Sequence, residues 1–159
     1  MKKILKYYSS TNRAVFWINK FIKYSDREKE NFFRKVSRAL IRNKLHKKYN
    51  ILISNEAKIG KNITFPHPQN IVIGSGVEIG DNCVIFHEVT LGQNKKKYPV
   101  VEDDVVIYPG AKIIGGIRVK KGSVIGANAV VIRDVQENTV VAGNPAKEVA
   151  IRSLEDELY

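Results

Sequence analysis

Aliphatic residues return at every sixth position through most of this chain. The register runs through Ile59 and Phe65, then Ile73, Ile79, Ile85 and Leu91, then Val101, Ile107, Ile113, Val119, Ile125 and Val131. Two positions before many of these stands a second, often small residue: Ala57, Val77, Cys83, Val89, Ala111, Ser123 and Ala129. A period of six is neither helical nor simple strand alternation, and self-similarity held at a fixed period marks a solenoid. Each hexad supplies one short strand and one turn. Three hexads close a triangular coil of about 18 residues, and coils stack at the inter-strand distance of about 4.8 Å. The aliphatic and the residue two before it both point into the prism, so the core repeats layer by layer.

The register breaks twice. Phe65 to Ile73 spans eight residues, placing two extra around His67-Pro68-Gln69-Asn70, and Leu91 to Val101 spans ten, placing four extra within Gln93 to Tyr98. Insertions in a solenoid map to loops, and loops carry function. Counting one coil plus the inserted pair onward from Phe65 reaches Ile85, so these two should stack. His67 and His87 each lie two residues further on and should share a corner about 5 Å apart, one coil spacing. Two readings of His87 stand: a group that shapes the acceptor pocket or tunes His67, and an exposed turn residue.

Residues 1–48 follow a different pattern. They hold 15 Lys and Arg against Asp26, Glu28 and Glu30, which accounts for the whole net charge of +11. Ser25 followed by Glu28 has the form of a capping box. Behind it Phe32, Phe33, Val36, Leu40, Ile41 and Leu45 recur at helical spacing, and a shorter helix carries Ala14, Phe16, Trp17, Phe21 and Ile22. The arm is expected to be two amphipathic helices. Its basic face suits either a solvated surface, with the helices packed on the prism, or contact with an anionic membrane surface. No base-reading motif or stacking platform accompanies it, so nucleic acid is not an expected partner.

The run Ile71-Val72-Ile73-Gly74, the run Val89-Thr90-Leu91-Gly92, the hexads after Val101 and the ending Val141-Ala142-Gly143-Asn144-Pro145-Ala146-Lys147 resemble the hexapeptide-repeat acyltransferases, in particular their serine acetyltransferase-like branch. The resemblance covers about residues 52–149. It implies an all-β solenoid, a left-handed parallel β-helix over 49–144, with the helical arm at 1–48 and a tail with a short helix at 145–159. It further implies acetyl-CoA as co-substrate and a homotrimer with active sites between subunits. His67 takes the place of the family's catalytic base. An imidazole suits that role, because a hydroxyl must lose its proton as it attacks a thioester near neutral pH. The same resemblance assigns Pro109, Gly110 and Ala127 to the pantetheine and adenine, and Arg133 and Lys147 to the phosphates.

Measured against serine acetyltransferase, the acid that orients the histidine falls on Leu52, the Asp before it falls on Pro66, and the Arg-His pair of the substrate loop falls on Lys97 and Tyr98. L-serine is therefore an unexpected acceptor. Phe65-Pro66-His67-Pro68 and the short basic arm are more similar to members that acetylate capsular or exopolysaccharide. The expectation is O-acetylation of a sugar hydroxyl on a bacterial surface glycan or its lipid-linked precursor, with Lys97 and Tyr98 at the acceptor. The alternative is a small-molecule acetyltransferase, for serine or a similar compound.

A single cysteine excludes an internal disulfide and fits a reducing cytoplasm. No continuous apolar segment suggests a leader or membrane span, so the expected location is cytoplasmic, with the inner membrane face as the peripheral variant. With only His67 and His87 in the coils, no three-histidine metal site is expected.

Overall fold

The computed structural model describes residues 9–25 and 31–152. Two helices, α1 (Ser9–Tyr24) and α2 (Phe32–Tyr49), lead into a parallel β-solenoid of short strands numbered along the chain. The first sheet stacks β1 (Leu52–Ile53), β3 (Val72–Ile73), β6 (Thr90–Gly92), β9 (Lys112–Ile114) and β12 (Val130–Val131). The second contains β2 (Lys58–Ile59), β4 (Glu78–Ile79), β7 (Val100–Val101) and β10 (Arg118–Val119). The third contains β5 (Val84–Ile85), β8 (Val106–Ile107), β11 (Val124–Ile125), β13 (Thr139–Ala142) and β14 (Lys147–Ile151).

The hexad register reappears as strand pairing. Leu52, Val72, Thr90, Lys112 and Val130 are successive partners, at steps of 20, 18, 22 and 18 residues. The steps of 20 and 22 contain the two insertions read from the sequence. One irregularity has no counterpart in that reading: Val119 bridges Val135 at a step of 16, so the last coil is two residues short.

The inward columns are Ile53, Ile73, Leu91, Ile113 and Val131 on the first sheet and Phe65, Ile85, Ile107, Ile125 and Val141 on the third, all buried. Burying each such side chain stabilises the fold by about 1.5–3 kcal/mol. The residues two positions earlier are small because they fill the narrowing corners, and Ala57, Val77, Cys83, Val89, Ala111, Ser123 and Ala129 are all buried there. Polar ladders hold the corners outside. Asn62, Asn82 and Asp104 each adopt the left-handed conformation that Asn and Asp tolerate, and the two Asn amides donate to the next residue's Oδ1 at 3.2 Å. At the corner before the first sheet, Gly110 has φ +75°, and a Cβ there would run into Asn128 Oδ1.

Three local expectations are corrected. Ser25 does not open α2: its Oγ donates to the Phe21 carbonyl at 2.9 Å and closes α1, while Asn31 caps α2 by accepting from Arg34 N–H at 2.9 Å. Glu28, the other half of the proposed box, lies outside the described residues. The stripe on α2 splits, with Ile41 and Leu45 joining Ile18 and Phe21 in the core while Phe32, Phe33, Val36 and Leu40 are exposed. Finally, the short C-terminal helix is absent from 147–151, where β14 runs antiparallel to β13 instead. The cause is the bare edge of β13, whose unpaired backbone groups the returning chain satisfies. Arg152 secures this strand, donating from Nη1 to the carbonyls of Asp104 (3.1 Å) and Gly122 (3.0 Å); residues 153–159 lie outside the described residues.

Candidate active site

The three corners of the prism are unlike one another. At the corner where the third sheet passes to the first, the chain carries Pro66 to Ile71 in one coil, Phe86 to Val89 in the next, and Tyr108 to Ala111 in the one after. Phe65 sits against Ile85, because Thr64 bridges Val84 in parallel register. From that shared start His67 and His87 reach the same corner, with ring centroids 6.2 Å apart and planes at 73°. The predicted stacking is observed. Pro68 is buried beneath the turn and His67 is exposed, so the extra pair of residues lifts the imidazole out of the prism wall.

His87 is half-buried, and its Nδ1 is buried with no hydrogen-bonding partner among the described residues. A buried N–H without an acceptor costs more than an unfilled lone pair. The proton therefore belongs on Nε2, at the more accessible edge of the ring.

Directly along the solenoid, Gly110 N–H donates to the His87 carbonyl (3.0 Å) and Asn128 N–H to the Pro109 carbonyl (2.9 Å). His87, Pro109 and Ala127 thus form one column on successive coils. Arg133 and Lys147 are exposed cations, Arg133 just beyond β12 and Lys147 opening β14, both at the C-terminal end of the stack. Pro109, Gly110 and Ala127 present little side chain to obstruct an extended ligand, and the two cations lie beyond them, a set that fits acetyl-CoA.

Lys97 and Tyr98 are not brought to this corner. Their loop leaves the C-terminal ends of the first sheet's strands, whereas the histidines stand before the N-terminal ends. Asn94 and Lys97 exchange backbone hydrogen bonds at 3.0 Å around Lys95 and Lys96, both with positive φ, which makes a tight hairpin tip. Tyr98 is half-buried with its ring against Gly74 and Gly76, where a Cβ at Gly76 would collide with it and one at Gly74 would crowd it. In a single chain it is therefore a packing residue. Leu52, in the position of the family's orienting acid, faces out from the first sheet.

Two features escaped the sequence reading. Lys112 bridges the corner, its Nζ donating to the carbonyls of Glu88 (2.6 Å) and Gly110 (3.0 Å). Phe86 and Tyr108 stack at 5.3 Å with planes 7° apart, within an outer apolar cluster of Val106 and Val124. Neither has a signal in the hexads, since outward positions carry no periodic constraint. Cys83 is no competing nucleophile: burial pushes its thiol up to about 11, away from the reactive thiolate. Among the described residues no group of His, Cys, Asp and Glu could hold a metal ion, and no helix is long and apolar enough to cross a membrane.

Comparison with known proteins agrees with the fold. Residues 98–133 match the family described as Bacterial transferase hexapeptide (six repeats). The serine acetyltransferase of Bacillus licheniformis is 43% identical over 97 residues, covering 58% of this chain and 45% of that protein. A serine acetyltransferase solved in complex with CoA superposes with a TM-score of 0.72 at 33% identity, covering 84% of this chain and 55% of the other. The soybean serine acetyltransferase complexed with serine gives a TM-score of 0.67 at 36% identity, covering 74% and 51%. The chain spans about half the length of the relatives it matches.

These likenesses correct the expected acceptor. The three similar proteins described above are serine acetyltransferases, not acetyltransferases of a capsular or exopolysaccharide. The polysaccharide reading rested on Phe65-Pro66-His67-Pro68 and the basic arm, with Leu52, Pro66, Lys97 and Tyr98 counting against serine, and the comparisons support the small-molecule alternative instead.

Proposed function

We propose that this chain is an acetyl-CoA-dependent O-acetyltransferase of the serine acetyltransferase type, acting on L-serine or a closely similar small hydroxy compound. The observation that carries the reading is the pairing of His67 with His87 at the head of the Pro109–Ala127 column, in a chain similar to proteins solved with CoA and with serine.

His67 accepts the proton of the acceptor hydroxyl as its oxygen attacks the thioester carbonyl. The carbon–sulfur bond then breaks, the new ester forms, and the departing thiolate takes up the proton. The exposed imidazole has room to meet both partners, and imidazole is the side chain suited to passing a proton near neutral pH. His87 borders the acceptor and can donate from Nε2 to the developing oxyanion. Extended pantetheine lies on Pro109, Gly110 and Ala127, with Arg133 and Lys147 opposite the phosphates.

An amino-acid acceptor brings an ammonium that needs an anion. Glu88 supplies one at this corner: it is exposed, follows His87, and its N–H donates to the Gln69 carbonyl of the His67 turn at 2.9 Å. Glu56 stands at the following corner, between β1 and β2.

Three subunits about an axis parallel to the prisms complete the site. Support comes from the separation of the Lys97 loop from the histidines across the first sheet, and from Leu52 and Val72 exposed on that sheet's outer face. A cyclic assembly covers such a face and lets the loop of one subunit meet the histidine corner of the next.

The test is incubation of the purified protein with acetyl-CoA and L-serine, following thiol release and identifying O-acetylserine by mass spectrometry. Thiol release with serine and not with glycine supports the assignment. Release with neither serine nor other small hydroxy compounds overturns it.

A further inference from the structure

The outward face of α2 remains unexplained by the solenoid and its site. Phe32 is 74% exposed, Phe33 79%, Val36 42% and Leu40 65%. At about 100° per residue these four fall within roughly a third of the helix circumference. Ile41 and Leu45, buried on the opposite side, hold the helix to α1 and the first coil. The stripe is therefore not the core-facing side misplaced; α2 has two apolar faces, and only one is packed against other described residues.

Within α2 the charges are all of one sign. Residues 32–49 contain seven Lys and Arg and no acid. Lys35 and Arg42 are exposed on one flank of the stripe and Lys44 on the other, with Lys47 at its C-terminal end. A second copy meeting this one arm to arm would bring an equally basic surface, and like charges across an interface oppose association. Nucleic acid would meet the charges but leave the phenylalanines in water. A surface with anionic groups above an apolar interior satisfies both. Aromatic and aliphatic side chains enter the headgroup boundary while lysine and arginine stems reach back to the phosphates.

We propose that α2 is an interfacial helix that docks the protein on anionic lipid bilayers, with Phe32, Phe33, Val36 and Leu40 inserted and the flanking lysines and arginines on the headgroups. The surface is independent of the acetyl-transfer reading, since it shares no residue with the histidine corner.

The experiment is co-sedimentation of the full chain with vesicles of phosphatidylglycerol and phosphatidylcholine in equal parts, and with phosphatidylcholine alone. The wild type should pellet with the anionic vesicles only, and less as salt is raised. Phe32→Ser/Phe33→Ser/Leu40→Ser should lose at least about tenfold in partitioning, with helix content and molar mass by light scattering unchanged. Arg42→Glu/Lys47→Glu, at exposed positions away from the core, should lose binding comparably. Wild type remaining in the supernatant with anionic vesicles overturns the proposal. So does a triple-serine variant that binds undiminished, which would reduce the surface to charge alone, or one whose molar mass falls without lipid, which would assign the face to a second copy.

Discussion

Side chains of the same chemistry meet opposite fates in the two regions of this molecule. In the solenoid, Ile73, Ile85, Leu91 and Ile107 are sealed into columns, while in the arm Phe32, Phe33 and Leu40 stand in water. The solenoid can seal them because each coil is a template for the next, so one column satisfied implies the rest. A helix has no such template. Its apolar residues are buried only where another element happens to lie, and among the described residues α2 has α1 and the first coil on one side only. Burial in the prism follows from periodicity, whereas burial on the arm depends on what docks there.

The sharpest way to test that contrast is at the solenoid's corner. His67→Ala should lower the rate of acetyl transfer by about 100- to 10,000-fold, while acetyl-CoA affinity by calorimetry changes little, because the imidazole adds little to binding of a long nucleotide thioester. A parallel loss of affinity and rate would make His67 a binding residue.

Next in size is a column residue. Ile107→Ala removes a fully buried side chain from the middle of the third sheet and should cost about 2–5 kcal/mol in denaturant unfolding. A cost near zero would mean that the coils do not act as mutual templates.

Smaller effects belong to the rim. Arg118 Nη1 donates to Glu102 Oε1 at 3.0 Å, and this, with the Lys121 N–H, holds the Glu102 carboxyl below its ordinary pKa. A group depressed in the folded state adds stability above its unfolded pKa, and that contribution is lost as pH falls through the folded value. Glu102→Gln should therefore destabilise by under about 1 kcal/mol at neutral pH, since the pair is exposed to solvent. The difference from wild type should vanish in acid, and thermal unfolding at both pH values measures it. A difference that persists in acid would show that the charge is not its source.

Least of all should change at the outer face of α2. Leu40→Ser exposes nothing that was covered and should shift stability by no more than about 0.5 kcal/mol in the absence of lipid, with acetyl transfer unaffected. A large loss would show that the face is already occupied by another subunit.

How much could be read beforehand follows the same division. The inward columns, the small residues between them, both insertions and the stacking of His67 on His87 were legible, because a fixed period turns residue number directly into position. The shortened last coil was not, since Val135 belongs to no hexad and only its bridge to Val119 reveals it. The start of α2 was misplaced onto Ser25 because capping residues are common, and local sequence does not say which one the chain uses. The resemblance implied a helix in the tail, while the edge of β13 drew Lys147–Ile151 into a strand. Lys112 and the Phe86–Tyr108 pair sit on outward positions, where the repeat imposes nothing.

What the sequence by itself determined is the solenoid and the register that sets His67 over His87, because those depend on spacing along the chain and on burial repeated coil after coil. Only the tertiary structure decided which corner each loop occupies: it carried Lys97 and Tyr98 away from the histidines, packed Tyr98 on Gly74 and Gly76, and left one face of α2 open. Those outcomes depend on the three-sided winding of the prism and on the single side from which α2 is covered, and neither is encoded in any local spacing.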